Sequence, residues 1–129
     1  MARQTFPAYS NLIGIPYEKK HCWDIAKDFY NQVLGVDLKH IYDGDLTDRG
    51  LIKSLIYTHK GEFVKVRKPK FGDLVTIRLH GVEVHLAVYV SNGQILHTTK
   101  TTGSIIDRLG RWVNLVTGYY TLNPTKENE

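Results

Sequence analysis

Apolar positions change rhythm once along the chain, from helical spacing in the N-terminal part to strand-like runs beyond Gly61. Between Cys22 and Leu34 the residues Cys22, Ile25, Ala26, Phe29, Tyr30, Val33 and Leu34 recur three and four apart, which predicts a helix with one apolar face. Asp24 falls in its first turn, where a carboxylate complements the positive end of the helix dipole, and Gly35 stands where a left-handed cap would close it. A second helix is predicted from about Asp48 to His59, with Thr47 or Asp48 as N-cap and Leu51, Ile52, Leu55 and Ile56 as its buried stripe. Upstream, Pro7, Gly14 and Pro16 interrupt any period, so residues 1 to about 20 read as an irregular arm.

After Gly61 the pattern predicts strands at about Phe63 to Arg67, Leu74 to Leu79, Val82 to Val90, Gln94 to Thr99 and Leu115 to Leu122. His80-Gly81 and Asn92-Gly93 are hairpin turn signals between neighbouring runs. Helices first and an antiparallel meander second give an α+β class, with the helices packed on one face of the sheet. No repeat or linker interrupts the 129 residues, so one domain spanning 1–129 is expected, with a frayed polar tail from Asn123 to Glu129.

Composition narrows the function. Apolar residues make up 42% and charged residues 23%, the balance of an ordinary globular domain. No apolar run approaches the roughly 20 residues of a spanning helix, so no membrane insertion is expected, and the N-terminus shows no apolar signal segment. The net charge of +4 suits an acidic or anionic partner, but Lys65, Arg67, Lys68 and Lys70 form the one basic cluster and no aromatic residues interleave with it. Nucleic acid is therefore not the expected partner.

The chain has a single cysteine, Cys22, so no internal disulfide can form. At a helix N-terminus the dipole and free N–H groups lower a thiol pKa and can receive a developing oxyanion. The same position also suits a small buried hydrophobe packed on the apolar face. Of six histidines, His85 and His97 fall in strands flanking Asn92-Gly93. They lie seven residues before Asn92 and four after Gly93, so they are not directly opposite, and a bulge, a longer loop or a diagonal relation is needed to bring the rings together. A thiol, a base and an orienting group make a nucleophilic constellation. Zinc would use the same atom types, but neither CxxC nor HxxxH spacing is present, so neither a metal nor any other cofactor is expected.

The segment GIPYEKKHCWDIAKDFYNQVLG, followed by FGDLVTI and VHLAVYVSNGQILH, resembles the NlpC-type papain-like cysteine peptidases of bacterial cell walls. The Cys-Trp start, DFYNQVLG and NGQILH resemble the variant found in bacteriophage tails, as tail-tip or tail-assembly peptidases. The resemblance covers residues 14 to 122 and implies a papain-like α+β fold with Cys22 as nucleophile, His85 as base and His97 as third member. It places Tyr17 beside the nucleophile, toward the oxyanion or substrate. It also implies peptidoglycan stem peptides as substrate, other tail proteins as partners, and a virion location acting in the host periplasm and wall. Two departures stand out: His21 where relatives carry Asp, and Leu86-Ala87 where Ala-Gly is usual. Two other uses of the fold remain open, a non-catalytic structural or assembly module of a tail, and transfer to or hydrolysis of a different acyl group.

Overall fold

The computed structural model describes residues 9–36, 63–79 and 83–122, with backbone alone for Leu79, Glu83 and Val84. The helix predicted over 48–59, the turn at 80–81, the tail and the first eight residues of the arm lie outside the described residues.

The first helix, α1, spans Cys22–Phe29 and buries Cys22, Trp23, Ile25, Ala26 and Phe29, the stripe that three- and four-residue spacing dictates. The chain then widens into a π-helical turn over Tyr30–Leu34 and ends at Gly35, whose φ of 69° is the left-handed cap anticipated from the sequence. The Tyr30 carbonyl accepts from the N–H groups of both Gly35 and Val36 there. Its hydroxyl donates to the Gly72 carbonyl, anchoring the turn to the loop before the second strand.

Among the described residues six strands follow: β1 (Phe63–Val66), β2 (Leu74–Leu79), β3 (Glu83–Ser91), β4 (Gln94–Thr99), β5 (Gly103–Arg108) and β6 (Val116–Leu122). They form one antiparallel sheet in the order β1-β6-β2-β3-β4-β5. Five of them match the predicted runs, and β5 was not expected. Its sequence, GSIIDR, has two adjacent isoleucines and no alternation, yet it pairs with β4 along its whole length from Gln94↔Arg108 to Thr99↔Gly103.

Strand β5 also holds the arm. The Gly14 N–H donates to the Ser104 carbonyl at 2.8 Å, the Ser104 N–H donates to the Ile15 carbonyl at 2.9 Å, and the Ile15 N–H donates to Ser104 Oγ at 2.8 Å. The backbones approach so closely that a Cβ on Gly103, at φ 69°, would fall 2.6 Å from the Ile15 oxygen. Residues 9–20 are thus irregular, apart from a 3₁₀ turn at Ser10–Leu12, but pinned to the sheet just ahead of Cys22.

The pleat separates two apolar clusters. Leu74, Leu86, Val88, Val90 and Leu96 face α1. Val75, Ile77, Ala87 and Ile95 face the other way, under Trp112, which the 3₁₀ turns Leu109–Arg111 and Val113–Leu115 carry across that side. Each large aliphatic or aromatic side chain so buried contributes about 1.5–3 kcal/mol.

Candidate active site

Cys22 is the first residue of α1, preceded by His21 in extended conformation as N-cap. The Asp24 carboxylate accepts from the His21 N–H at 3.2 Å, one half of a capping box in which the expected aspartate at the cap has been replaced by histidine. The His21 ring lies edge-on to Tyr17, with centroids 4.8 Å apart. Tyr17 is therefore next to the start of α1, edge-on to the residue that precedes the thiol.

The thiol is 5% exposed and belongs to the apolar cluster under α1, so it occupies the packing position and the helix N-terminus at once. The expected lowering of its pKa does not hold. Burial pushes the thiol up to about 11, and hydrogen bonds from the backbone N–H groups of Leu86, Trp23 and Cys22 itself offset only part of that. The bond from Leu86 places the sulfur against β3 beside His85, just past the point where the β3–β4 ladder ends at Val88↔Leu96. Among the described residues the link from Cys22 to the histidines runs through this backbone contact, with no direct thiol–imidazole hydrogen bond.

His85 and His97 meet. His85 Nε2 and His97 Nδ1 are 2.8 Å apart, with ring centroids at 5.0 Å. The device that allows this is a bulge. Next to the Asn92-Gly93 turn, where both residues have positive φ (51° and 75°), Ser91 pairs with Gln94. Further along, Tyr89 pairs with Ile95 and Val88 with Leu96, so Val90 is an extra residue on β3. Without it, position 97 would pair with 88 and the two histidines would project from opposite faces. With it, His97 comes level with Ala87, diagonal to His85 on the same face. The sheet thus uses the bulge and the diagonal relation together.

The histidine pair continues into residues the sequence did not suggest. His97 Nε2 lies 3.2 Å from Asp107 Oδ2, and Trp112 Nε1 donates to that oxygen at 3.0 Å. The Arg108 N–H donates to Asp107 Oδ1 at 2.8 Å, and Arg111 approaches it at 3.5 Å. Trp112 also sits edge-on to His97, centroids 5.2 Å apart. Asp107 escaped notice because β5 did. A reading of Gly103–Arg108 as a strand after the Thr-rich turn would have paired His97 with Ile105 and set Asp107 two residues along on the same face.

Burial sets the charge state of this row. His85, 6% exposed, is lowered to about 3 by burial and then by the nearby His97. His97, fully buried, is lowered by burial despite the opposing hydrogen bond and charge of Asp107. Burial raises Asp107, but bonds from Trp112, the Arg108 N–H and His97 outweigh it and hold the carboxyl below its ordinary range. Near neutral pH the row is a carboxylate followed by two neutral imidazoles. No group of three or more His, Cys, Asp or Glu side chains among the described residues is placed to hold a metal ion, and no helix among them is long and apolar enough to cross a membrane.

Comparison with known proteins bears on the family and the fold. The model of the NlpC/P60 family matches residues 13–121. The crystal structure of the NlpC/p60 domain of the peptidoglycan hydrolase SagA superposes with a TM-score of 0.60 at 18% identity, over 89% of this chain and 93% of that one. No curated protein matches the chain. The chain belongs to the NlpC/P60 family and has its papain-like α+β fold.

Proposed function

We propose that this NlpC/P60 domain is a cysteine peptidase or amidase that hydrolyses an amide bond in peptidoglycan stem peptides. The observation that carries the reading is a thiol at a helix N-terminus bonded to the backbone next to His85, whose far ring nitrogen is held 2.8 Å from His97. Family membership supports the substrate class, and so does the name of the structural neighbour, a peptidoglycan hydrolase.

Cys22 rests as a thiol and His85 as a neutral imidazole, so proton transfer accompanies attack instead of preceding it. His85 Nδ1, the nitrogen not engaged by His97, takes the proton as sulfur bonds to the carbonyl carbon. The oxyanion develops at the N-terminus of α1, where the backbone N–H groups of Cys22 and Trp23 face the sulfur and Tyr17 is adjacent. The imidazolium then protonates the leaving amine, and His85 activates the water that cleaves the thioester. His97 orients His85 throughout.

The resemblance of the segments around Cys22 and His97 to tail peptidases supports a place in a phage tail, where the domain would meet neighbouring tail proteins and open the host wall during infection. Incubation of the purified protein with peptidoglycan sacculi, followed by mass spectrometry of the soluble fraction, tests the activity. Released stem peptides with new amino termini are expected, and none with Cys22→Ala. An intact wall and a thiol inert to alkylation would favour the structural module. Proteomics of purified virions tests the location: presence of the chain in particles is expected, and its absence would remove the tail assignment.

A further inference from the structure

A base can accept the thiol proton only from a nitrogen that carries none. Which nitrogen of His85 is bare is decided two residues away. The Asp107 carboxylate is ionised and has donors on all sides: Trp112 Nε1 and His97 Nε2 at Oδ2, the Arg108 N–H and Arg111 at Oδ1. An ionised carboxylate has no proton to give, so the His97–Asp107 hydrogen bond requires the proton on His97 Nε2. A neutral His97 then has a lone pair at Nδ1. The 2.8 Å contact to His85 Nε2 needs one donor, so the proton sits on His85 Nε2 and His85 Nδ1 is bare. The alternative chain, with His97 Nδ1–H donating to His85 Nε2, would leave His97 Nε2 as a lone pair facing a carboxylate and would put the proton on His85 Nδ1, where it blocks the base.

We infer that Asp107 is a positioning residue which, through His97, fixes the tautomers of both histidines and keeps His85 Nδ1 free to accept a proton. Trp112 holds the carboxylate in place by sharing Oδ2 and packing on the His97 ring. The row crosses three adjacent strands, β3, β4 and β5, so the strand that sequence patterning did not reveal supplies the group that orders the rest. This inference rests on the proposed hydrolase reading for its consequence, but not for its measurement.

Imidazole ¹⁵N chemical shifts of the substrate-free protein near pH 7 report each ring nitrogen directly. In the wild type, protons are expected on Nε2 of both His85 and His97, with an unprotonated-type shift at His85 Nδ1. A protonated His85 Nδ1 in the wild type would overturn the inference without recourse to any variant. In Asp107→Ala, the shifts should move toward the opposite tautomer pair, and in Asp107→Glu they should return. A carboxylate bonded directly to the base is worth on the order of 10⁴ in kcat, and one histidine further out is expected to be worth about 10², with KM little changed. Unchanged shifts together with unchanged kcat in Asp107→Ala would overturn it. Should Asp107→Ala fail to fold, Asp107→Leu gives the same readout, because it fills similar space and has no acceptor for His97 Nε2–H. Correct tautomers in a protein that hydrolyses nothing would sink the hydrolase reading and leave the role of Asp107 intact. Full activity of Asp107→Ala with wild-type tautomers would do the reverse.

Discussion

The two faces of the sheet are built from alternate residues of the same strands and do different work. On one face Leu74, Leu86, Val88, Val90 and Leu96 meet α1 in an apolar cluster that any well-packed α+β domain would own. On the other, Val75, Ile77, Ala87 and Ile95 make a smaller apolar floor, and the same face carries His85, His97 and Asp107 under Trp112. The first face is held by area, roughly 25 cal/mol for each Å² buried, and tolerates exchange of one apolar side chain for another. The second is held by a row of hydrogen bonds in which every donor needs its acceptor, so it is unforgiving. Cys22 joins them: it packs in the first cluster while its sulfur meets the β3 backbone beside the residue that opens the second.

The largest break in this comparison comes from the bulge. Deletion of Val90 removes the extra residue that puts His85 and His97 on one face, and hydrolysis should fall below detection. Retained wild-type activity in that deletion would show that the register does not position the pair.

Next in size is the contrast between faces. Leu96→Ala, at a fully buried site under α1, should cost about 2–5 kcal/mol in denaturant unfolding while leaving kcat of the folded protein near its original value. His97→Ala on the other face should lower kcat by about 10² or more, because His85 loses the acceptor that orients it as the base. Stability and turnover measured on both variants check the pair. Equal effects on kcat would erase the distinction between the faces.

The last contrast is the pH dependence of stability. His85 and His97 both have folded pKa values below the ordinary 6.5, His85 at about 3. Their contribution is therefore complete above pH 6.5 and declines as the pH falls toward 3, because the unfolded chain binds protons that the folded rings refuse. The decline amounts to at most about 1.4 kcal/mol per pH unit for each ring. Urea midpoints between pH 7 and pH 4.5 should fall, and more shallowly in His97→Asn.

Much of this was legible in the sequence, for physical reasons that differ by region. Helix α1 shows through its apolar stripe and Gly35, because a buried helical face and a left-handed cap leave few residue choices. Five strands show through short β-rich runs bounded by turn residues, and the hairpin through Asn92-Gly93. Strand β5 does not show, because Ile105-Ile106 next to Gly103 has no period and its pairing comes from β4 alone. Asp107 was lost with it. The meeting of His85 and His97 needed a bulge that no residue type announces, since Val90 sits in an unbroken apolar run. The raised pKa of Cys22 is not legible because sequence reports the helix end but not the depth of burial, and burial wins.

The central claim is that Cys22 bonds covalently to the acyl group with His85 as its base. A rapid-quench single turnover on a stem-peptide substrate, with mass analysis of the proteolytic fragment that contains Cys22, reads this directly. The account predicts a transient acyl mass on that fragment in the wild type and none in His85→Ala. Peptide release at the wild-type rate by Cys22→Ala, with no adduct on Cys22 at any time point in the wild type, would contradict it.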